Sequence, residues 1–313
     1  MTETASTIRR SRGRYRGCLI GAAVGDALGA PMEGRAVVTD GYLKRLEIDP
    51  GPMTYTDDTA MTIGVAESLV QFGGFDGAHM AAHLAAGFAA EPWRGYGNGP
   101  PEVFGNLERG IPWDAAATSL FGGTGSYGNG AAMRVAPIAL FAHPDTKTVA
   151  ELARQSAVIT HTHPEGVDGA VVQALALDYV LGLSPKDAPE PAAMIEHIQP
   201  HLSTLRFREK LAVVERIVIS RRQDQLGSLG SGITAYSSVP TALACYLLHP
   251  ISFHDAVTTA ISLGGDTDTI ASMTGSIVGA HLGLVAISPA WRQVESADRI
   301  TALADRLSVL AES

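Results

Sequence analysis

Two short acidic segments hold the residues of this 313-residue chain that are best suited to chemistry. The first is Thr56-Asp57-Asp58-Thr59, and the second, Asp266-Thr267-Asp268-Thr269, lies near the other end of the chain. Neighbouring carboxylates repel one another, and burying them together is costly unless a cation compensates their charge. Oxygen ligands suit hard cations such as Mg²⁺, Mn²⁺ or Ca²⁺ and suit Zn²⁺ poorly. If the fold brings the two segments together, they could hold two such ions.

Helix capping is the alternative interpretation of each acidic segment taken alone. Asp and Thr are favoured at helix N-termini, and each segment precedes an apolar run, Met61 to Val70 or Ile270 to Ile287. The occurrence of two segments of the same composition favours metal binding.

A glycine-rich stretch, Phe121 to Gly128, could cradle phosphate groups through its backbone N–H groups. It leads into a helix expected to begin near Asn129, and a helix N-terminus favours anions. The aromatic rings of Phe121 and Tyr127 flank the stretch and could stack on a base. The stretch also matches G-x-G-x-x-G, which would indicate a dinucleotide-dependent oxidoreductase only if a strand preceded it. A flexible surface loop is the remaining alternative.

Four other polar residues, His161, His163, Glu33 and Asp26, each have a structural alternative to a functional role. His161 and His163 make a poor zinc site, because no cysteine or third histidine lies nearby. A histidine at a helix end is more often a cap or a hydrogen-bonding core residue. Glu33 stands in a loop, where a glutamate is usually solvated. Asp26 lies inside a predicted helix and is interpreted as a structural carboxylate satisfied by backbone or arginine partners.

Composition limits the class of protein. Hydrophobic residues make up 46% of the chain and charged residues 18%, which supports a large buried core. A net charge of −9 argues against general nucleic-acid binding, since that requires lysines and arginines to neutralise phosphates. Only Cys18 and Cys245 occur, so a disulfide framework is excluded and a cytoplasmic location is expected. The polar residues within Ile270 to Ile287 favour a buried helix over a membrane span.

The pattern predicts an all-α fold, because long Ala- and Leu-rich segments dominate and alternating strand-like runs do not recur. The predicted helices are Arg14–Leu28, Asp58–Phe72, Gly77–Glu91, Pro101–Gly110, Asn129–Phe141, Thr148–Thr160, Glu165–Gly182, Ala192–His201, Phe207–Ser220, Val239–Leu248, Phe253–Leu263 and Thr269–Leu284. Loops are expected at Val38–Thr54, Pro92–Pro101, Phe121–Gly128, Ser184–Pro191 and Gln223–Gly232. Residues 14–313 are predicted to form one compact catalytic domain after a disordered basic tail of residues 1–13. A monomer is expected.

Glycines recur every four residues in the first and last predicted helices. They are Gly17, Gly21, Gly25 and Gly29 in the first, and Gly275, Gly279 and Gly283 in the last. A glycine inside a helix costs roughly 1 kcal/mol relative to alanine, so such a row usually permits a close approach. We therefore expect these two helices to pack against each other at the centre.

Six short motifs follow one another in a fixed order from about Arg14 to Gly283. They are Arg16–Gly29, Tyr55–Met61, Ser126–Val135, Ile159–His163, Val239–Ala242 and Gly264–Ile270. Together they resemble the ADP-ribosylglycohydrolase family. The pair Ser126-Tyr127 before Gly-Asn-Gly, together with Gly232-Ile233, resembles the branch that acts on O-linked ADP-ribose, which includes serine-ADP-ribose and poly(ADP-ribose) hydrolases.

The resemblance implies an all-α, metal-dependent ADP-ribosylhydrolase with two Mg²⁺ ions, or Mn²⁺ in their place. Such an enzyme would cleave the O-glycosidic bond at the anomeric carbon of the distal ribose. Its partners would be an ADP-ribosylated protein, poly(ADP-ribose) or another ADP-ribose ligand such as O-acetyl-ADP-ribose, with neither nucleic acid nor membrane. The alternatives are an arginine-specific hydrolase and a family member that binds ADP-ribose without turnover.

The resemblance also implies roles for individual residues. One metal would use Thr56, Asp57, Asp58 and Asp268, and the other would use Asp266, Asp268 and Thr269. The catalytic set would be Glu33, Asp57 and Asp58, with Glu33 or Asp57 accepting the proton. The substrate would contact Asp57, Phe121, Gly125, Ser126, Tyr127, Gly128, Asn129, Gly130, His161 and Ile233.

Overall fold

α-Helices dominate the structure. The computed structural model describes the backbone of residues 2–312 and the side chains of residues 12–312. The α-helices are α1 (Thr2–Gly29), α2 (Asp40–Ile48), α3 (Asp57–Phe72), α4 (Gly77–Ala90), α5 (Gly99–Glu108), α6 (Gly130–Met133), α7 (Ala136–Ala142), α8 (Thr146–Val158), α9 (Pro164–Gly182), α10 (Pro191–Ile198), α11 (Leu205–Ile219), α12 (Ala235–Leu248), α13 (Phe253–Ser262), α14 (Thr267–Leu282) and α15 (Ala297–Leu310). Residues 2–312 contain no strand beyond an isolated bridge between Gly128 and Thr234. The all-α prediction is confirmed.

Helices α1 and α14 run antiparallel through the core with their backbones in contact. A methyl group added to Gly17, Gly21 or Gly25 would overlap a carbonyl group of α14. The same holds in reverse, because methyl groups on Gly275 and Gly279 would overlap carbonyl groups of α1. The prediction that the two glycine-lined helices pack at the centre is therefore confirmed.

The other helices surround this pair and bring two helix N-termini to the C-terminal end of α1. Helix α9 is buried along most of its length and packs against α8, α12 and α14. Helix α3 packs against α1, α4, α7 and α15. Since α14 is antiparallel to α1, its acidic N-terminus lies beside the C-terminal end of α1, and the N–H of Thr56, just before α3, bonds to Asp26 at that same end.

Several element boundaries differ from the predictions. Helix α2 occupies part of the predicted loop Val38–Thr54, because Thr39 caps it and Tyr42 and Leu46 bury one face. Helix α15 was not predicted, although Ile300 and Leu307 belong to its buried face.

The predicted helix Asn129–Phe141 is divided into α6 and α7. The division lies at Arg134 and Val135, because Pro137 has no N–H group to continue the ladder of α6.

Two expectations concern the ends and the surroundings of the fold. The expected disordered tail of residues 1–13 overlaps the beginning of α1, but the side chains of residues 1–11 lie outside the described ones, and the expectation stays a prediction. Within residues 2–312, no helix combines the length and the hydropathy that crossing a membrane requires.

Candidate active site

The two acidic segments meet, because each begins a helix that starts beside the end of α1. Asp57 and Asp58 occupy the first turn of α3, and Asp268 occupies the first turn of α14. The hydroxyl group of Thr269 donates a hydrogen bond to Asp58 Oδ2 at 3.2 Å. Both segments therefore lie in one cluster, as the sequence predicted.

Capping explains only part of this arrangement. Thr56 does cap α3, because its Oγ1 accepts a hydrogen bond from the N–H of Asp58 at 3.4 Å. Asp266 stands at the N-cap of α14 but makes no side-chain capping bond. Its carboxylate instead accepts a hydrogen bond from the side-chain amide of Asn129. Helix capping thus leaves the Asp266 carboxylate available for another role.

Asp26 holds the first segment in place, as its structural interpretation predicted. It is fully buried, and its oxygens accept hydrogen bonds from the N–H of Thr56 at 2.9 and 3.1 Å. It also accepts bonds from the N–H and the hydroxyl group of Thr59, at 3.0 and 2.6 Å. The partners are backbone and threonine groups of α3, which fixes the position of Asp57 and Asp58.

A pair of backbone hydrogen bonds ties the loop of Glu33 to the second segment. The N–H of Gly34 donates to the carbonyl of Gly265, and the N–H of Gly265 donates to the carbonyl of Arg35, both at 2.8 Å. Gly265 has a φ of +76°, and a side chain there would overlap Ser231. This clamp brings carboxylate oxygens of Glu33, Asp266 and Asp268 within 4.8 Å of one another.

The electrostatics of this cluster favour a bound cation. Burial and Asp26 raise the pKa of Asp57 to about 7, and burial and Asp266 raise the pKa of Asp268 to about 9. Burial, followed by Asp26, also raises the pKa of Asp58, and its buried Oδ1 atom lacks a hydrogen-bond partner among the described residues. A hard cation would supply the missing partner and favour the ionised carboxylates. The donor set therefore fits a metal ion such as Mg²⁺.

A cavity of about 280 Å³ joins the acidic cluster to the glycine-rich loop. Of the residues expected to contact substrate, those on its wall are Asp57, Phe121, Ser126, Gly128, Asn129, Gly130, His161 and Ile233. Glu33, Asp58, Asp266, Asp268 and Thr269 also contribute to the wall. One cavity thus contains most of the residues that the sequence singled out.

Gly125 and Tyr127 stand outside the wall of this cavity. Gly125, with a φ of +76°, approaches Thr162 and His163 so closely that a side chain would not fit. The ring of Tyr127 lies edge-on to that of His163, with 5.6 Å between centroids. Their expected contacts with substrate stay predictions.

The glycine-rich loop is preceded by no strand within residues 2–312, so the oxidoreductase alternative is wrong. Helix α6 after it has only four residues, which weakens the argument from a helix N-terminus. The loop is instead held through its backbone, because the N–H of Asn129 donates to the carbonyl of Ile233 at 3.0 Å. Phe121 has a φ of +52°, an uncommon backbone conformation for a non-glycine residue, and the residue is 58% exposed.

Sequence reasoning missed two parts of the cavity wall. One is the loop from Gly95 to Pro100, of which Gly95, Gly97, Asn98, Gly99 and Pro100 line the cavity. Its glycines carried no motif that could have identified it. The other is Arg134, which is fully buried. An arginine within the apolar run from Gly130 to Phe141 was a signal, because arginine is almost never buried without partners.

Known proteins resemble this chain along nearly its full length. The sequence profile described as ADP-ribosylglycohydrolase matches residues 7–313. ADP-ribosylhydrolase ARH3 from Mus musculus is 37% identical, with 91% of this chain and 88% of that protein covered. The ARH3 from Homo sapiens is 36% identical, with 91% and 89% covered.

Two further matches are more distant. ADP-ribosylarginine hydrolase Tri1 from Serratia proteamaculans is 28% identical, with 95% of this chain and 80% of that protein covered. A solved structure of an ADP-ribosylglycohydrolase-related protein complex has a TM-score of 0.76 at 26% identity, with 97% of this chain and 99% of that chain covered. Since both the profile and relatives above 30% identity span most of the sequence, the chain belongs to the ADP-ribosylglycohydrolase family and is a hydrolase of glycosyl bonds.

Proposed function

We propose that this protein cleaves the O-glycosidic bond at the anomeric carbon of a distal ribose in ADP-ribosylated substrates. The observation that carries the proposal is the convergence of two acidic helix N-termini on one cavity that ends at a glycine-rich loop. The acidic end suits metal-held ribose hydroxyls, and the loop suits a diphosphate. Relatives named ARH3 are 36–37% identical, whereas the relative named as an arginine hydrolase, Tri1, is 28% identical, which makes an arginine-linked substrate the less supported alternative.

We propose two Mg²⁺ ions as cofactors, with Mn²⁺ as the alternative. One would be held by Thr56, Asp57, Asp58 and Asp268, and the other by Asp266, Asp268 and Thr269. When bound, the ions would neutralise the carboxylates, hold the ribose hydroxyls and lower the pKa of water. The unpartnered Oδ1 atom of Asp58 supports this assignment.

Glu33 is the proposed proton acceptor. Partial burial and Asp266 raise the pKa of Glu33 above its usual value, which makes its carboxylate a stronger base. Its carboxylate would take a proton from the attacking water as the water oxygen bonds to the anomeric carbon and the bond to the leaving oxygen breaks. The leaving oxygen would then receive that proton from Glu33. The products are ADP-ribose and the free hydroxyl of the leaving group, after a transition state with oxocarbenium character. Asp57, whose pKa burial raises to about 7, is the alternative acceptor.

A substrate panel tests the proposed reaction. The full-length protein is assayed with a serine-linked ADP-ribosyl peptide, an arginine-linked one, poly(ADP-ribose) and O-acetyl-ADP-ribose, in Mg²⁺, in Mn²⁺ and in EDTA. We expect ADP-ribose release from O-linked substrates in the presence of metal and none in EDTA.

Two outcomes of the panel would contradict the proposal. Faster turnover of the arginine-linked peptide than of every O-linked substrate would indicate an arginine-specific enzyme. Binding of ADP-ribose without turnover of any substrate would indicate a member of the family that has lost catalysis. A folded Asp268→Asn variant serves as the control for contaminating hydrolases.

A further inference from the structure

Hydrogen bonds link three side chains in a row, from the buried guanidinium group of Arg134 through Thr160 to His161 at the cavity wall. The Nη2 atom of Arg134 donates to Thr160 Oγ1 at 2.7 Å, and Thr160 Oγ1 lies 2.7 Å from His161 Nδ1. All three residues are buried and all three line the cavity. The remaining guanidinium bonds are to the carbonyl groups of Gly130 and Ser156, at 3.0 and 3.1 Å.

The direction of each hydrogen bond between Arg134, Thr160 and His161 follows from which groups can donate and which can accept. A guanidinium group can only donate, so Thr160 Oγ1 accepts from Arg134. The threonine hydroxyl then has its single proton left for another acceptor, and His161 Nδ1 is the acceptor within reach. Pairing both the threonine proton and His161 Nδ1 therefore requires Thr160 to donate to Nδ1, which leaves Nδ1 without a proton of its own.

A histidine whose Nδ1 accepts must hold its proton on Nε2 while neutral. Burial and the charge of Arg134 lower the pKa of His161 to about 3, so the ring is neutral at physiological pH. No side chain among residues 12–312 bonds to Nε2. A Cβ at Gly130 would stand 3.2 Å from Nε2, and one at Gly128 would stand 3.5 Å away, so the missing side chains leave this edge of the ring open toward the cavity.

We infer that Arg134, acting through Thr160, fixes His161 as a neutral imidazole that presents an Nε2–H donor to an anionic oxygen of the ligand. Arg134 and Thr160 are positioning residues in this assignment, and His161 makes the contact. The inference rests on the proposed function, which identifies the oxygen as one belonging to the diphosphate-ribose part of the ligand. The opposite tautomer would turn a lone pair toward the same oxygen and repel it.

The test reads the tautomer directly in the Mg²⁺-loaded, ligand-free protein. Nitrogen-15 spectra of histidine-labelled wild type and His161→Gln identify the His161 ring and show which nitrogen carries the proton. We expect a single neutral form with the proton on Nε2. Thr160→Ser keeps the hydroxyl and should keep that form.

Thr160→Val removes the hydroxyl while preserving shape and should produce a mixture of tautomers. Arg134→Gln places a group that can accept beside Thr160, so the threonine proton can turn away and the same mixture is expected. Ser156→Ala is the matched control, because its buried hydroxyl one turn earlier has no partner among the described residues and only its carbonyl bonds to Arg134.

Ligand affinity supplies the second readout. Calorimetric titration of ADP-ribose should show Thr160→Val binding roughly three- to tenfold more weakly, the loss expected for one hydrogen-bond donor that is present only part of the time. Thr160→Ser should bind within about twofold of wild type, on the same reasoning.

The inference is overturned if wild-type His161 carries its proton on Nδ1 or on both nitrogens, or if Thr160→Val retains the wild-type spectrum while folded. Neither result depends on turnover. Failure of the substrate panel therefore leaves this test intact, and failure of this test leaves the proposed reaction intact.

Discussion

Thr269 donates its hydroxyl proton to Asp58 across 3.2 Å, although 211 positions separate the two residues in the chain. The bond joins the first turn of α14 to the first turn of α3, and it uses one oxygen of Asp58 while the other stays without a partner among the described residues. The acidic cluster is thus assembled by tertiary packing and is incomplete in its polar contacts. The first three predictions follow from that incompleteness.

Metal addition should stabilise the folded protein. An ion that binds only the folded state adds RT ln(1 + [L]/Kd), which is about 2.7 kcal/mol at a hundredfold excess over Kd. Differential scanning calorimetry in EDTA, and then in Mg²⁺, should show a clear rise in Tm. Identical melting curves in the two buffers would contradict a folded-state metal site.

The stability of the metal-free protein should decrease as the pH rises. The folded-state pKa values of Asp57 and Asp268, raised by burial to about 7 and about 9, exceed the value of about 3.9 for an unfolded Asp. A carboxyl group with a raised folded-state pKa binds its proton more tightly in the folded protein. Its contribution to the free energy of unfolding is fully present below about pH 4 and is lost as the pH rises through the folded-state pKa. Urea titrations in EDTA between pH 5 and 9 should show this decline, and saturating Mg²⁺ should flatten it.

Two aspartates at the same end of the fold, Asp268 and Asp26, should respond differently to substitution by asparagine. Asp268→Asn should abolish turnover and leave the metal-free protein at least as stable as wild type, because the amide removes a buried group that is costly to ionise. Asp26→Asn should cost roughly 1–3 kcal/mol, because its amide would face N–H and hydroxyl donors of Thr56 and Thr59. Turnover rates and melting curves of both variants distinguish a metal ligand from a structural carboxylate. Wild-type turnover by Asp268→Asn would refute its assignment as a ligand.

Phe121 should contribute more to ADP-ribose affinity than Tyr127. Phe121 lines the cavity, whereas Tyr127 lies outside the lining, is 46% exposed and has its ring against that of His163. Loss of a ring that stacks on a base costs roughly 1–3 kcal/mol, so Phe121→Ala should weaken binding about ten- to a hundredfold. Calorimetry with Phe121→Ala, Tyr127→Ala and Tyr127→Phe tests this order. A larger loss for Tyr127→Ala would mean that the base stacks on the tyrosine.

Gly21→Ala should destabilise the protein by about 1–3 kcal/mol, the usual range for overpacking. The added methyl group would overlap the carbonyl of Gly275 in α14. Gly87→Ala in α4 is the control, because a methyl group there meets nothing within 4 Å and should stabilise the helix by about 0.5–1 kcal/mol. Urea unfolding of both variants measures the difference, and equal stabilities would contradict the backbone contact.

The features that sequence predicted well were those with a regular spacing or a distinct composition. The glycine row of α1 predicted a close helix contact, and the matched acidic segments predicted a shared cluster. Helix α2 escaped prediction because only Tyr42 and Leu46 of its nine residues are buried, so its periodicity is weak. The partners of Arg134 could not be derived in full, although its place in an apolar run was a signal, since only the tertiary fold brings the Ser156 carbonyl and the Thr160 hydroxyl to it.

The backbone contact between α1 and α14 divides the molecule into a fixed part and an adaptable part. Two helices without a side-chain layer between them cannot slide or rotate without separating, so the end that carries Asp266 and Asp268 acts as a rigid anchor. Adjustment to leaving groups of different size then falls to the loops at Gly95–Pro100 and Phe121–Gly128, where glycines with positive φ tolerate backbone rotation. Selectivity can therefore diversify by loop substitution while the anchor stays unchanged.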